Sequence, residues 1–118
     1  MNERSLIGMW KAVTYEVDGV SHDLSGLVAF SRSHLVAAIR YASTVPDTCR
    51  LHANAGPYEV EEHRIQMLQW IQLHYDEAQP QSTLNTKNLP EEIEYEIVEQ
   101  VLVLVFPSKN RMILTKVS

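Results

Sequence analysis

The feature that most constrains this chain is a two-residue rhythm of apolar and polar side chains. It is clearest over residues 92–97, where Ile93, Tyr95 and Ile97 alternate with glutamates. Successive side chains of a strand point to opposite faces, so this alternation predicts a half-buried β-strand. We therefore expect Tyr95 to point inward, where its hydroxyl would meet a core partner or orient a ligand.

The rhythm recurs and predicts eight strands, most of them joined by short turns such as Asp18-Gly19. The expected strands cover residues 9–17, 26–31, 34–41, 58–61, 64–74, 92–97, 101–106 and 111–117. A sheet of this size needs its edges removed, and closure into an eight-stranded antiparallel β-barrel removes them. The sequence thus predicts an all-β single domain over residues 1–118, with a two-sheet sandwich as the alternative.

Two segments interrupt the rhythm. Residues 42–54 contain Pro46 and Asp47, and Asp47 is expected to N-cap one short helix that ends near Ala53. Residues 76–90 are polar and form a long connection, part of which is expected to pair with a neighbouring strand.

The segment 64–74 is the longest strand candidate, with a helix as its competitor. As a strand it has one face of Ile65, Met67, Gln69, Ile71 and Leu73, and another of Gln66, Leu68, Trp70, Gln72 and His74. The first face is more aliphatic, so Met67 and Gln69 are expected inside. In the other register Trp70, Gln72 and His74 would form a polar and aromatic strip, because a one-residue slip reverses the faces.

Other pocket candidates are small or aromatic. Ala37 and Tyr41 belong to the more apolar face of strand 34–41, and the small Ala37 would leave space for a ligand. Tyr15 is a further candidate. The acidic residues Glu91, Glu92, Glu94, Glu96 and Glu99 are expected to face water and to protect against edge pairing.

Three stretches resemble the bacterial lipocalin-like domain family of the calycin superfamily. They are Leu6–Glu16 with its Gly8-Met9-Trp10, Gly26–Ser31, and Ala55–Val60 with its Gly56-Pro57-Tyr58. The resemblance implies a calycin barrel with one open end. It also implies that Trp10 packs across the closed end beneath a cation from the last strand, a position that Arg111 matches.

Charge and composition narrow the range of partners. The net charge is −5 and basic residues do not cluster, so binding of nucleic acid or of an anionic membrane is not expected. No apolar run approaches the roughly 20 residues of a membrane span. The opening Met1–Ser5 does not resemble a signal peptide and Cys49 is the single cysteine, which together favour a cytoplasmic protein.

Catalytic and metal motifs are missing from the sequence. Cys49-x-x-His52 is one pair of soft ligands without a second pair, and the four glycines form no phosphate-binding loop. We therefore expect no metal and no cofactor.

These observations leave three functional hypotheses. The first is a barrel that binds a small apolar molecule. The second is a cofactor-independent cyclase or isomerase of a natural-product-like substrate, which would act by confining and orienting that substrate. The third is a filled barrel that serves as an interaction module, including a homodimer formed by strand pairing.

Overall fold

A computed structural model describes residues 6–79 and 81–117. Residues 1–5, on which the prediction of no signal peptide rests, lie outside the described residues, as do Pro80 and Ser118. Ten β-strands make up nearly all of the described structure. They are β1 (Gly8–Val17), β2 (Val20–Phe30), β3 (His34–Ala42), β4 (Cys49–Glu61), β5 (Arg64–Gln69), β6 (Ile71–Asp76), β7 (Gln81–Asn85), β8 (Leu89–Val98), β9 (Val101–Val105) and β10 (Arg111–Lys116).

The strands form one antiparallel sheet that closes on itself. Its order is β3-β2-β1-β10-β9-β8-β5-β4, and pairing of β3 with β4 completes a ring of eight strands. The strands β6 and β7 extend the wall beside the first half of β4, because β6 pairs with β4 and β7 pairs with β6. The predicted all-β, eight-stranded antiparallel barrel is confirmed.

The short helix expected in residues 42–54 is wrong. Residues 44–47 form bends and turns, with Asp47 at a φ of 64°, and β4 begins directly afterwards at Cys49. The first half of β4 pairs with β3 on one side and with β6 on the other. These two ladders satisfy its backbone groups in an extended conformation, so the Asp47 capping signal is overridden by tertiary pairing.

The segment 64–74 is extended, as predicted, but it bends at Trp70, which separates β5 from β6. Between the pairs Tyr58↔Met67 and Ala55↔Ile71, β4 advances three residues while its partner advances four. This extra residue is a β-bulge. Gly56 lies opposite it, where a Cβ atom would be 1.9 Å from the Leu68 carbonyl oxygen.

The bulge exchanges the two faces of this strand along its length. Before Trp70, Ile65, Met67 and Gln69 are buried in the interior. After Trp70, the side chains of Gln72 and His74 take the inner side, while Ile71 and Leu73 are exposed. Each of the two faces considered from the sequence is therefore the inner face of one half.

One end of the barrel is closed around Trp10, which is only 1% exposed. The indole Nε1–H donates to the Leu6 carbonyl oxygen at 2.9 Å. The cation over the ring is Lys116, whose Nζ is 4.6 Å from the ring centroid and donates to the Ile7 carbonyl at 2.8 Å. The expected pairing with Arg111 is wrong.

Antiparallel register explains this correction. Trp10 lies opposite Lys116, whereas Arg111 lies opposite Glu16 at the other end of β1. The cation that covers the start of the first strand must therefore come from the end of the last strand.

Candidate functional site

A cavity of about 410 Å³ occupies the barrel interior. Most of its wall is aliphatic or aromatic, with contributions from every strand of the ring. Representative lining residues are Leu24, Leu35, Ile39, Ile93, Leu104 and Met112. A volume of this size suits one small molecule in an eight-stranded barrel.

Polar side chains are concentrated on the β4–β6 wall of the cavity. Asn54 Nδ2 donates to Gln69 Oε1 at 3.1 Å, and Gln72 Nε2 approaches the same oxygen at 3.4 Å. Gln69 is 4% exposed, and its buried carbonyl oxygen accepts hydrogen bonds from these two amides. The other polar atom of the Asn54 amide, Oδ1, is buried and has no hydrogen-bond partner among the described residues.

The bulge at Trp70 creates this amide cluster. Gln69 and Gln72 are three residues apart, a spacing that places them on opposite faces of a regular strand. The extra residue between them turns both side chains inward, towards Asn54 on the neighbouring strand.

Glu91 is an acidic residue in the cavity wall. Burial raises the pKa of its carboxyl above the ordinary value. It was grouped from the sequence with water-facing glutamates, and this placement is wrong for Glu91. The signal was its parity, because Glu91 lies two residues before the inward Ile93 and therefore shares its face.

His52 lines the cavity beside Asn54, with 3.5 Å between Nε2 and Asn54 Nδ2. Burial lowers the pKa of His52, and the nearby His74 lowers it further. The two imidazole rings have centroids 6.0 Å apart in an edge-on arrangement. His52 is thus held as a neutral imidazole that can donate or accept a hydrogen bond. The sequence pattern indicated His52 only as a possible metal ligand together with Cys49.

The rim beyond His52 contains the nearest basic residue. Arg50 Nε lies 3.2 Å from Asp76 Oδ2, and Asp76 Oδ1 accepts from the Ser43 hydroxyl at 2.5 Å. The Ser43 hydroxyl is the main cause that lowers the pKa of Asp76. Burial raises the pKa of Tyr41 at the same rim, although Arg50 opposes the shift. The Arg50 charge is therefore already compensated by its neighbours.

Four of the site residues named from the sequence line the cavity. These are Tyr15, Ala37, Tyr41 and Met67. Tyr15 packs on Phe106 and its hydroxyl accepts from Asn110 Nδ2 at 3.1 Å. Strand alternation explains the positions of Ala37, Tyr41 and Met67, whereas Tyr15 faces the cavity because the register of β1 shifts between Ala12 and Thr14.

The other four lie elsewhere. Gln69 is buried behind the amides of Asn54 and Gln72, and His74 lies beside His52. Tyr95 is 5% exposed in the core but is not among the residues that line the cavity. Trp70 is 50% exposed on the outer surface, where it contacts the His34 ring, because it directly follows the inward Gln69.

Comparisons with family models, curated proteins and solved structures find no match to this chain. Within the described residues, no three His, Cys, Asp or Glu side chains converge as a metal site. No helix in the described part of the chain is long and apolar enough to cross a membrane.

Proposed function

We propose that this protein binds a small, largely apolar molecule inside its barrel, in the manner of a lipocalin-like protein. The observation that carries the proposal is the cavity of about 410 Å³, apolar over most of its wall and polar at one patch. Apolar walls provide affinity through burial, and a few polar groups fix the orientation of the ligand. A filled barrel would leave no internal space of this size.

The lipocalin-like assignment is supported by the closed end as well as by the closed ring. Trp10 is buried under a cation from the last strand, as the resemblance of the first strand implies, with Lys116 in the expected role of Arg111. The polar wall is formed by the first half of β4 together with Gln69 and Gln72, and it would fix the orientation of a ligand that has one polar group.

Two neighbouring alanines provide the test. Ala37 lines the cavity, whereas Ala38 lies on the outer face of the same strand. Native mass spectrometry of the purified protein, with a denatured control, would detect a bound molecule. We expect Ala37→Phe to lose that mass because the ring fills the cavity, and Ala38→Phe to retain it. Equal occupancy in both variants, or no bound mass and no binding of apolar probes, would contradict the proposal.

Catalysis of cyclisation or isomerisation is a second candidate, favoured by His52 and Glu91 in one cavity. A neutral imidazole and a carboxyl with a raised pKa are suited to general acid–base chemistry. The test compares small molecules extracted from the wild type and from Glu91→Gln by chromatography and NMR. An enzyme would yield an unconverted isomer from the variant, whereas a binding protein would yield the same molecule from both.

A further inference from the structure

The described cavity lining contains an acidic side chain but no cationic one. Among the described residues that line it, none is Lys or Arg, and Glu91 is the one carboxyl. The basic group nearest to the polar wall, Arg50, is paired with Asp76 at the rim. A carboxylate ligand would thus meet a buried acid of its own sign and no cation to compensate it.

The cavity also offers an unused hydrogen-bond acceptor. Asn54 uses its Nδ2 on Gln69, and its Oδ1 is buried without a partner in the described structure. A buried acceptor without a donor costs free energy, which a ligand that supplies an N–H or O–H would recover. Acceptors of two kinds, a carboxylate and an amide carbonyl, therefore line the same space.

Strand register relates Glu91 to Gln69, the residue that Asn54 contacts. Glu91 lies opposite Met67, and Leu89 lies opposite Gln69, which makes Glu91 and Gln69 diagonal neighbours on the inner face. Diagonal neighbours are about 7–8 Å apart. Asn54 contacts Gln69 directly. A primary ammonium has three donors, so one ammonium could serve both a carboxylate and an amide oxygen of the same cavity.

From this arrangement we propose that the ligand is an apolar amine, with its ammonium group between Glu91 and Asn54 and its hydrocarbon part on the aliphatic wall. The proposal rests on the proposed binding function and specifies its ligand class. The titratable groups that share the cavity are compatible with a cation, because His52 is held neutral and Tyr15 and Tyr41 are phenols. The charge of Asp76 at the rim is matched by Arg50.

Three probes with the same tail test the polarity of the site. Isothermal titration calorimetry at pH 7.5 would compare octylamine, octan-1-ol and octanoate on the wild-type protein. We expect octylamine to bind about tenfold or more tightly than octan-1-ol, the ratio expected for a charged hydrogen bond, and octanoate to bind least tightly. Equal affinity for amine and alcohol, or preference for octanoate, would overturn the amine assignment while leaving apolar binding intact.

Variants locate the effect. Glu91→Gln is expected to reduce octylamine affinity about tenfold while changing octan-1-ol affinity less than about threefold. Glu92→Gln is the matched control, because Glu92 is the next residue and lies on the outer face. An equal loss in both variants would contradict the assignment. If none of the probes binds the wild type, the proposed function itself fails, and this outcome differs from loss of amine preference alone.

Discussion

Burial moves the pKa values of Glu91 and His52 in opposite directions but favours the neutral form of both. The Glu91 carboxyl has a raised pKa and the His52 imidazole a lowered one, and desolvation is the leading cause in each. For His52, stability is greatest above the ordinary pKa of 6.5 and decreases as pH falls towards the lowered value. The cavity therefore contains two titratable groups whose neutral forms are favoured by burial.

Glu91 makes a specific prediction for stability against pH. Its raised pKa means that the folded state binds the proton more tightly than the unfolded state. The contribution is present below the ordinary value of 4.5 and is lost as pH rises through the raised pKa. We expect the stability of Glu91→Gln relative to wild type to increase with pH across this window. Urea unfolding between pH 3.5 and 8 measures it, and a similar trend in Glu92→Gln would contradict the assignment.

Lys116 supports the closed end and Arg111 does not. Lys116 contacts the buried Trp10 ring and a backbone carbonyl, whereas Arg111 is exposed. We expect Lys116→Gln to lower the free energy of unfolding by about 1 kcal/mol through loss of these two contacts. Arg111→Gln should change it by less than about 0.5 kcal/mol, as exposed substitutions do. Equal effects in urea unfolding would show that the register-based assignment is wrong.

At the scale of elements, the bulge between β5 and β6 decides which side chains enter the site. Without it, alternation from the buried Gln69 would turn Ile71 inward and Gln72 outward. With it, Gln72 faces inward and the Gln69–Gln72–Asn54 cluster forms. Gly56 permits the close approach of the bulged strand, since any side chain there would collide with the Leu68 carbonyl.

The two tryptophans report this arrangement by fluorescence. Trp10 is buried and Trp70 is half exposed, so acrylamide should quench only part of the emission of the wild type. We expect Trp70→Phe to remove the quenchable part and Trp10→Phe to leave it. If Trp70 in the Trp10→Phe variant resisted quenching, the ring would be inside and the inner face assigned to β5 would be wrong.

At the scale of the whole molecule, closure pairs each of the eight ring strands with two neighbours and leaves β7 outside the ring. β3 pairs on both sides, with β2 and β4, whereas β7 pairs only with β6 among the described strands. Closed barrels have no edge strand, so β7, which lies outside the ring of eight, is an edge strand along its whole length. The homodimer considered from the sequence stays a prediction, and the unpaired edge of β7 is where strand pairing would form it.

Hydrogen exchange tests closure. We expect the β3 amides to exchange slowly and the outward amides of β7 to exchange quickly in dilute protein. Alternate fast amides along β3 would mean that the β3–β4 closure is absent. Protection of β7 that increases with protein concentration, together with a doubled mass in light scattering, would establish the homodimer.

The sequence by itself determined that the fold is an all-β barrel, where several of its strands lie and much of the inner face. Alternation in segments such as β3 and β8 correctly places Ala37, Tyr41 and Tyr95 inside, because burial of one face enforces a period of two. The same rule places Glu91 inside, although its charge favours a position on the surface.

Tertiary structure decided what local patterns do not encode. The suppression of the short helix, the bulge at Trp70 and the choice of Lys116 over Arg111 each depend on which residues pair across strands that are distant in sequence. A bulge depends on register between partners, and one extra residue reverses every side chain that follows. For this reason the sequence alone did not predict the polar wall of Asn54, Gln72 and His52, which forms only in the closed barrel.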